Sequence, residues 1–174
     1  SWSEDYLAGR IQKGRLTAEQ VAAIKSRFRI EADLAAAAGE ADLVIEAVVE
    51  VADITADLFR KLDTIVRPDT VIATNSSYLV SSQFKDCLSN PGRLVNLHYY
   101  NPALVMKLTE IVQGEHTSQA TVDAMMDFSK KTGKTPVWVK KEIEGFLANR
   151  IISVVNREAL WLVENGYCTY QDMD

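Results

Sequence analysis

Only two cysteines, Cys87 and Cys168, occur among the 174 residues, with no Cys-x-x-Cys pair and no histidine beside either. Such scarcity argues against a metal centre and a disulfide framework, and it fits a reducing, cytoplasmic-type compartment. Positive charge is also short. The formal net charge is −5, no basic stripe is present, and nucleic-acid binding therefore lacks its electrostatic footprint. The longest apolar runs are strand-sized, far below the roughly 20 residues of a membrane span, and neither end reads as a signal or transit peptide. No membrane partner is expected. None of the eight glycines falls into the Gly-x-Gly-x-x-Gly turn that seats a pyrophosphate at a helix N-terminus. Either no dinucleotide is bound, or the front of such a fold is missing from these residues. Internal repeats and low-complexity segments are absent too.

What is present is ordinary globular material, 47% hydrophobic and 25% charged. The length suffices for one domain with a core, or one domain and part of another. Residues 1–13 read as an amphipathic helix with Trp2, Tyr6, Ala8 and Ile11 near one face, closed by Lys13-Gly14. Thr17, followed by Glu19 and Gln20, caps a second helix to about residue 27, and the two make a helical hairpin. Residues 28–30 suit a short strand and 35–38 a short helix ended by Gly39. The apolar run 42–49 has the pattern of a strand buried on both faces. A helix over 53–66 places Ile54, Leu58, Leu62 and Ile65 at helical spacing. A buried strand follows at 70–74, then an Asn75-Ser76-Ser77 loop and a short helix at 81–88. Further on come a helix over 118–132 capped by Ser118, a strand at 136–140 and a long helix over 145–165. Thr169 with Asp172 marks the start of one more.

The most informative stretch is 93–112. Val95 and Leu97 alternate with polar neighbours in a strand that delivers His98 at its end, and Asn101-Pro102 breaks it. A second strand, Leu108–Val112, carries Glu110 among Leu108, Ile111 and Val112. A carboxylate buried there is costly without a partner, and an imidazole on the neighbouring strand supplies one. His98 and Glu110 are accordingly a candidate general base and its orienting acid. A plainer reading makes the histidine structural and turns the glutamate to water.

Strands alternating with helices predict an α/β, doubly wound, Rossmann-like sheet, incomplete in these residues. Such sheets bind ligands over the carboxyl ends of their strands, which gathers Glu50, Asn75–Ser77 and His98 at one edge.

Five segments then resemble one family, the L-3-hydroxyacyl-CoA dehydrogenases of the 3-hydroxybutyryl-CoA type. They are ADLVIEAVVE at 41–50, ATNSS at 73–77, LHYYNPALVMKLTEIV at 97–112, TGKTPVWVKKEIEGFLANRI at 132–151 and ENGYCTYQDMD at 164–174. The resemblance implies NAD as cofactor and oxidation of an L-3-hydroxyacyl-CoA, such as 3-hydroxybutyryl-CoA, to the 3-ketoacyl-CoA. It implies catalytic roles for His98, Glu110, Ser77 and Asn149. Ala47, Glu50, Asn75, Ser77 and Asn101 would line the nicotinamide end of the cofactor. Ser77, Asn149 and Lys13 would touch substrate, with Lys13 toward the CoA phosphates. It further implies that residues 1–143 are the later part of a NAD-binding domain with a hairpin insertion at 1–27. Residues 144–174 would then begin an all-α C-terminal domain through which a homodimer forms. On this reading the chain is an internal piece of such a protein.

The chain departs from the family pattern at four places. Glu144 replaces a proline, Thr55 a lysine, Tyr99-Tyr100 a Phe-Phe pair and Tyr78 a serine. Simpler roles are open as well: turn residue for Ser77, helix-surface polar group for Asn149, first-turn acid for Glu50 and solvated helix-end cation for Lys13. Two other readings remain. One is a related dehydrogenase for a non-CoA hydroxy acid or carnitine; the other is an inactive fragment or interaction module using the face of the long helix.

Overall fold

The computed structural model describes residues 2–173. It divides into two compact units, residues 1–37 and 38–174.

The first unit is helical. α1 (Trp2–Gln12) and α2 (Ala18–Lys25) are joined by a turn at Gly14. Thr17 forms a complete capping box: its hydroxyl accepts from the Gln20 N–H while the Gln20 side chain accepts from the Thr17 N–H. Residues 28–30 do not form the expected strand. They lie exposed, with no ladder among the described residues to satisfy their backbone groups. The short α3 (Leu34–Ala38) leads into the second unit.

The second unit is built on a five-stranded sheet in the order β1 (Leu43–Glu46), β2 (Val71–Thr74), β3 (Leu94–Tyr99), β4 (Leu108–Val112), β5 (Thr135–Val139). α4 (Ala52–Asp63) crosses from β1 to its parallel neighbour β2. Two 3₁₀ turns, Ser81–Cys87 and Pro91–Arg93, lie between β2 and β3, which also run parallel. β3 and β4 are antiparallel. Only residues 100–107 join them, and a parallel return needs a dozen residues or more. α5 (Gln119–Lys131) provides such a crossover, and β5 is parallel to β4.

The core forms between α5 and one sheet face, where Val122 and Met125 of the helix meet Ala73, Val95, Leu97 and Ile111. Side chains alternate across a strand, so Asn96 and His98 face the other way, as does Glu110 on β4. That second face is buried too. Phe146, Val112 and Val139 cluster there, and Asn96 accepts from the Ser81 N–H at 2.8 Å and donates to the Leu79 carbonyl at 2.9 Å.

Several boundaries differ from the sequence reading. β1 is four residues long and among the described residues pairs with β2 alone, so Ile45, Val48 and Val49 are exposed rather than buried on both faces. In α4 the buried stripe is Thr55, Phe59 and Leu62, rotated from Ile54 and Leu58 because Phe59 packs edge-on against Phe84 of the first 3₁₀ turn. α6 (Ala148–Glu164) starts three residues later than expected, because Gly145 and Phe146 have φ of 72° and 47°, outside the helical region. α7 (Tyr170–Met173) follows.

Candidate active site

Cross-strand register brings the central pair together. His98 lies directly opposite Glu110 in the β3–β4 ladder, on the same face, and both are almost fully buried at 3% and 1% exposure. His98 Nδ1 stands 3.0 Å from Glu110 Oε2 and Nε2 stands 3.2 Å from the Ser77 hydroxyl. The chain Glu110–His98–Ser77 is therefore continuous.

Glu110 is held by more than the histidine. The Tyr100 hydroxyl donates to the same Oε2 at 2.6 Å, and the N–H groups of Leu147 and Ala148, at the start of α6, donate to Oε1 at 3.0 and 3.1 Å. Burial pushes this carboxyl up, but the His98, Tyr100, Ala148 and Leu147 donors outweigh it and hold Glu110 below its ordinary value. An ionised carboxylate only accepts, so Nδ1 of His98 carries the proton and Nε2 is left to face Ser77. Tyr100 and Phe146 also flank the imidazole, with ring centroids 4.7 and 5.2 Å away. Burial, followed by the Glu110 contact, raises the Tyr100 phenol well above its ordinary value, so it stays a donor.

Two other glutamates shape the loop that presents Ser77. Glu46, buried at the end of β1, accepts from the Thr74 hydroxyl at 2.6 Å and the Val48 N–H at 2.7 Å. Glu50 accepts from the Ser76 hydroxyl and from the N–H groups of Tyr78 at 2.8 Å and Leu79 at 3.4 Å. Partial burial works against it, yet these donors keep the Glu50 carboxyl below its usual range. Asn75 ties the loop to β3 by accepting from the Tyr99 N–H at 2.9 Å. Beside it opens a cleft of about 170 Å³ lined by Glu46, Ala47, Val48, Glu50, Thr55 and Asn75–Ser77. Ser77 thus belongs to the cleft and to the histidine chain at once.

The remaining sequence candidates are placed differently. Asn149 sits half-buried in the first turn of α6 and lines an open groove with Tyr78, Arg150 and Ser153; among the described residues its side chain makes no hydrogen bond to His98 or Ser77. Asn101 is exposed in the turn that its cis bond to Pro102 makes. Lys13 is exposed in the turn closing α1, within the first unit.

Sequence reasoning noted Tyr100 only as a departure from the family pattern and gave no site role to Phe146, Glu46 or Thr74. A signal existed for Glu46, an acid in the apolar run 42–49 that invites the argument made for Glu110. For Phe146 there was none, since its position depends on the backbone turn before α6.

The second histidine belongs to another cluster. His116 Nε2 is 3.4 Å from the Ser81 hydroxyl, which itself donates to Glu142 at 2.7 Å. Ser81 is fully buried and the acid bonds the serine rather than the imidazole, so this is no nucleophilic triad. Burial lowers the His116 pKa from its ordinary value, with Glu142 opposing and Lys85 assisting. A Cβ on Gly114 would fall 2.3 Å from His116 Cε1, so a larger residue there would have to displace the imidazole.

Fold and site together define a Rossmann-like α/β domain with a buried His–Glu pair opening on a cleft at the carboxyl ends of its strands. Residues 2–143 match the sequence profile of the 3-hydroxyacyl-CoA dehydrogenase, NAD binding domain family, and the chain belongs to that family. It is 36% identical over 146 residues to a 5-formyl-3-hydroxy-2-methylpyridine 4-carboxylate 5-dehydrogenase of Mesorhizobium japonicum, covering 84% of the chain and 47% of that protein. It is also 36% identical over 133 residues to a 3-hydroxybutyryl-CoA dehydrogenase of Clostridioides difficile, covering 76% of the chain and 47% of that protein. The crystal structure of (S)-3-hydroxybutyryl-CoA dehydrogenase from Ralstonia eutropha superposes with a TM-score of 0.93 at 30% identity, over 98% of the chain and 60% of that structure. The chain spans about half the length of the curated relatives it matches.

Proposed function

We propose that the protein carrying this chain oxidises an L-3-hydroxyacyl-CoA to the 3-ketoacyl-CoA with NAD, preferring a short acyl chain such as 3-hydroxybutyryl, and that His98 is its general base. The observation that carries this reading is the Glu110–His98–Ser77 chain, whose last member also lines the strand-end cleft. The cleft suits one ring-sized part of a dinucleotide: Ala47, Glu50, Asn75 and Ser77 would hold the nicotinamide end, with Asn101 contributing from its turn. When bound there, NAD supplies the acceptor for the hydride that leaves substrate C3.

The chain's own residues do the rest. His98 Nε2, held as the acceptor nitrogen, takes the hydroxyl proton as the carbonyl forms. Glu110 fixes the ring's tautomer and stabilises the imidazolium. Ser77 donates to the reacting oxygen, and Asn149 supports it from α6. Lys13 is proposed as a contact for the CoA phosphates. Residues 144–174 are proposed to open a helical dimerisation domain, a role supported by the exposed apolar side chains Ile151, Val154, Val155 and Trp161 of α6.

A second reading, turnover of a hydroxy acid without CoA, is favoured by one finding. The relative named for a pyridine carboxylate is as similar, at 36%, as the one named for hydroxybutyryl-CoA.

The deciding experiment is NADH formation by the intact protein with 3-hydroxybutyryl-CoA, free 3-hydroxybutyrate and L-carnitine in parallel. Turnover is expected with the thioester, and His98→Gln should lower kcat by about 10² to 10⁴-fold with little change in KM. Turnover of a free acid alone would favour the second reading. A His98→Gln variant with parental kcat would overturn the base assignment.

A further inference from the structure

We propose that Tyr100 is a positioning residue that sets how strongly Glu110 acts on His98, because its phenol and the imidazole Nδ1–H share a single carboxylate oxygen. The inference rests on the reading of His98 as general base. Both donors converge on Oε2, the tyrosine at 2.6 Å and the histidine at 3.0 Å. The other oxygen is already taken by the Leu147 and Ala148 N–H groups. An ionised carboxylate offers about four lone-pair directions, so all are engaged by protein. Glu110 is a buried acceptor divided among four donors, and the shorter charge-assisted bond goes to the tyrosine.

The consequence follows from sharing. Each donor draws on the same charge, and hydrogen bonds on one buried acceptor influence one another. With Tyr100 in place, Glu110 orients the imidazole while conceding part of its charge to the phenol. Without the hydroxyl, Oε2 serves His98 alone, and the protonated ring is better stabilised.

Other groups do not confuse the comparison. β4 contributes Glu110, the segment after β3 contributes Tyr100, and the loop after β2 contributes the Ser77 hydroxyl. Phe146 and backbone N–H groups face the pair from the start of α6. Among the described residues, no other ionisable side chain bonds to either member.

The test uses the intact protein and two variants, Tyr100→Phe and a site-specific 3-fluorotyrosine at position 100, a stronger donor of nearly the same shape. For Tyr100→Phe the acidic midpoint of log kcat/KM against pH should rise by about 0.5 to 1 unit. The NMR resonance of the His98 Nδ1 proton should move downfield. For the fluorotyrosine protein both should move the opposite way, and this variant decides the question if the phenylalanine protein does not fold. A tyrosine that merely packs would lower stability or kcat at every pH and leave midpoint and resonance unmoved; that outcome overturns the proposal. Should the intact protein show no NAD-linked turnover, the dehydrogenase reading fails by itself. The proton resonance still judges Tyr100: movement upholds the coupling, and constancy overturns it.

Discussion

Glu110 accepts four hydrogen bonds from three different parts of the chain, which makes it both the most satisfied and the most exposed to substitution of the site's residues. Replacing it by glutamine keeps its volume but removes its charge and turns an amide donor toward at least one of those donors. Glu110→Gln should therefore lower stability by about 2 to 4 kcal/mol, read as a shift of the denaturant midpoint at constant slope. It should also lower kcat, since the imidazolium loses its counter-charge. Ser77 is a contrasting case. It is half-buried and makes its one side-chain bond to His98. Ser77→Ala should lower stability by only about 1 kcal/mol, since it leaves one buried acceptor, His98 Nε2, without its hydroxyl, while kcat/KM falls about 10 to 100-fold, the worth of one hydrogen bond to a charged group. A parental kcat/KM would make the serine a turn residue only.

At the scale of elements, the loop between β2 and the first 3₁₀ turn depends on two glutamates, one at the end of β1 and one in the loop that follows it. Glu46 fixes Thr74 and Val48, and Glu50, in the loop after β1, gathers Ser76, Tyr78 and Leu79, so the two acids of the EAVVE run hold the segment that presents Ser77. Glu50→Ala should free the Tyr78 amide, whose shortest bond is to Glu50 at 2.8 Å, and its hydrogen exchange should accelerate several-fold, while the Leu79 amide, bonded to the Ser76 hydroxyl at 2.7 Å, and the amides of β3 keep their protection. Unchanged exchange at Tyr78 would show that the loop is held by its own turn geometry. At the other end of the site, α6 reaches the sheet through backbone N–H groups on Glu110, and an acid at a helix N-terminus is favoured by the helix dipole as well. Phe146, at φ 47° and fully buried, occupies a backbone region that costs a non-glycine residue energy, and its ring lies against His98.

For the molecule as a whole, the shifted groups predict how stability follows pH. His116 has a folded pKa lowered from 6.5, so the unfolded chain binds its proton more readily. Its contribution is complete above about pH 6.5 and is lost as pH falls through the folded value. Glu50 and Glu110 are lowered from 4.5, and Asp63, bonded to Arg93 at 2.6 Å and to Ser89, is lowered from 3.8. Their contributions are complete above those values and disappear in more acid solution. Melting temperature should hold steady from about pH 7 to 9, decline gently below pH 6.5 and fall more steeply below about 4.5. His116→Asn should abolish the gentle decline and keep the steep one. A protein whose stability rises on acidification from pH 6.5 to 5 would contradict this account.

The apolar runs, the caps at Thr17 and Ser118 and the acid inside Leu108–Val112 were legible because each is a local matter of periodicity, side-chain capping or the cost of burying charge. His98 and Glu110 were legible as a pair for the same reason, and the resemblance of five segments named their family. Tertiary structure alone decided the rest. Whether 42–49 is buried depends on which strands flank it, and only β2 does among the described residues. Which face of α4 is buried depends on Phe84, and where α6 begins depends on two residues with positive φ. Tyr100 sharing an oxygen with His98 arises only when antiparallel register sets Glu110 opposite the histidine, within reach of the side chain two residues further on. Sequence determines what each segment needs to bury or satisfy; long-range packing determines which distant group meets that need.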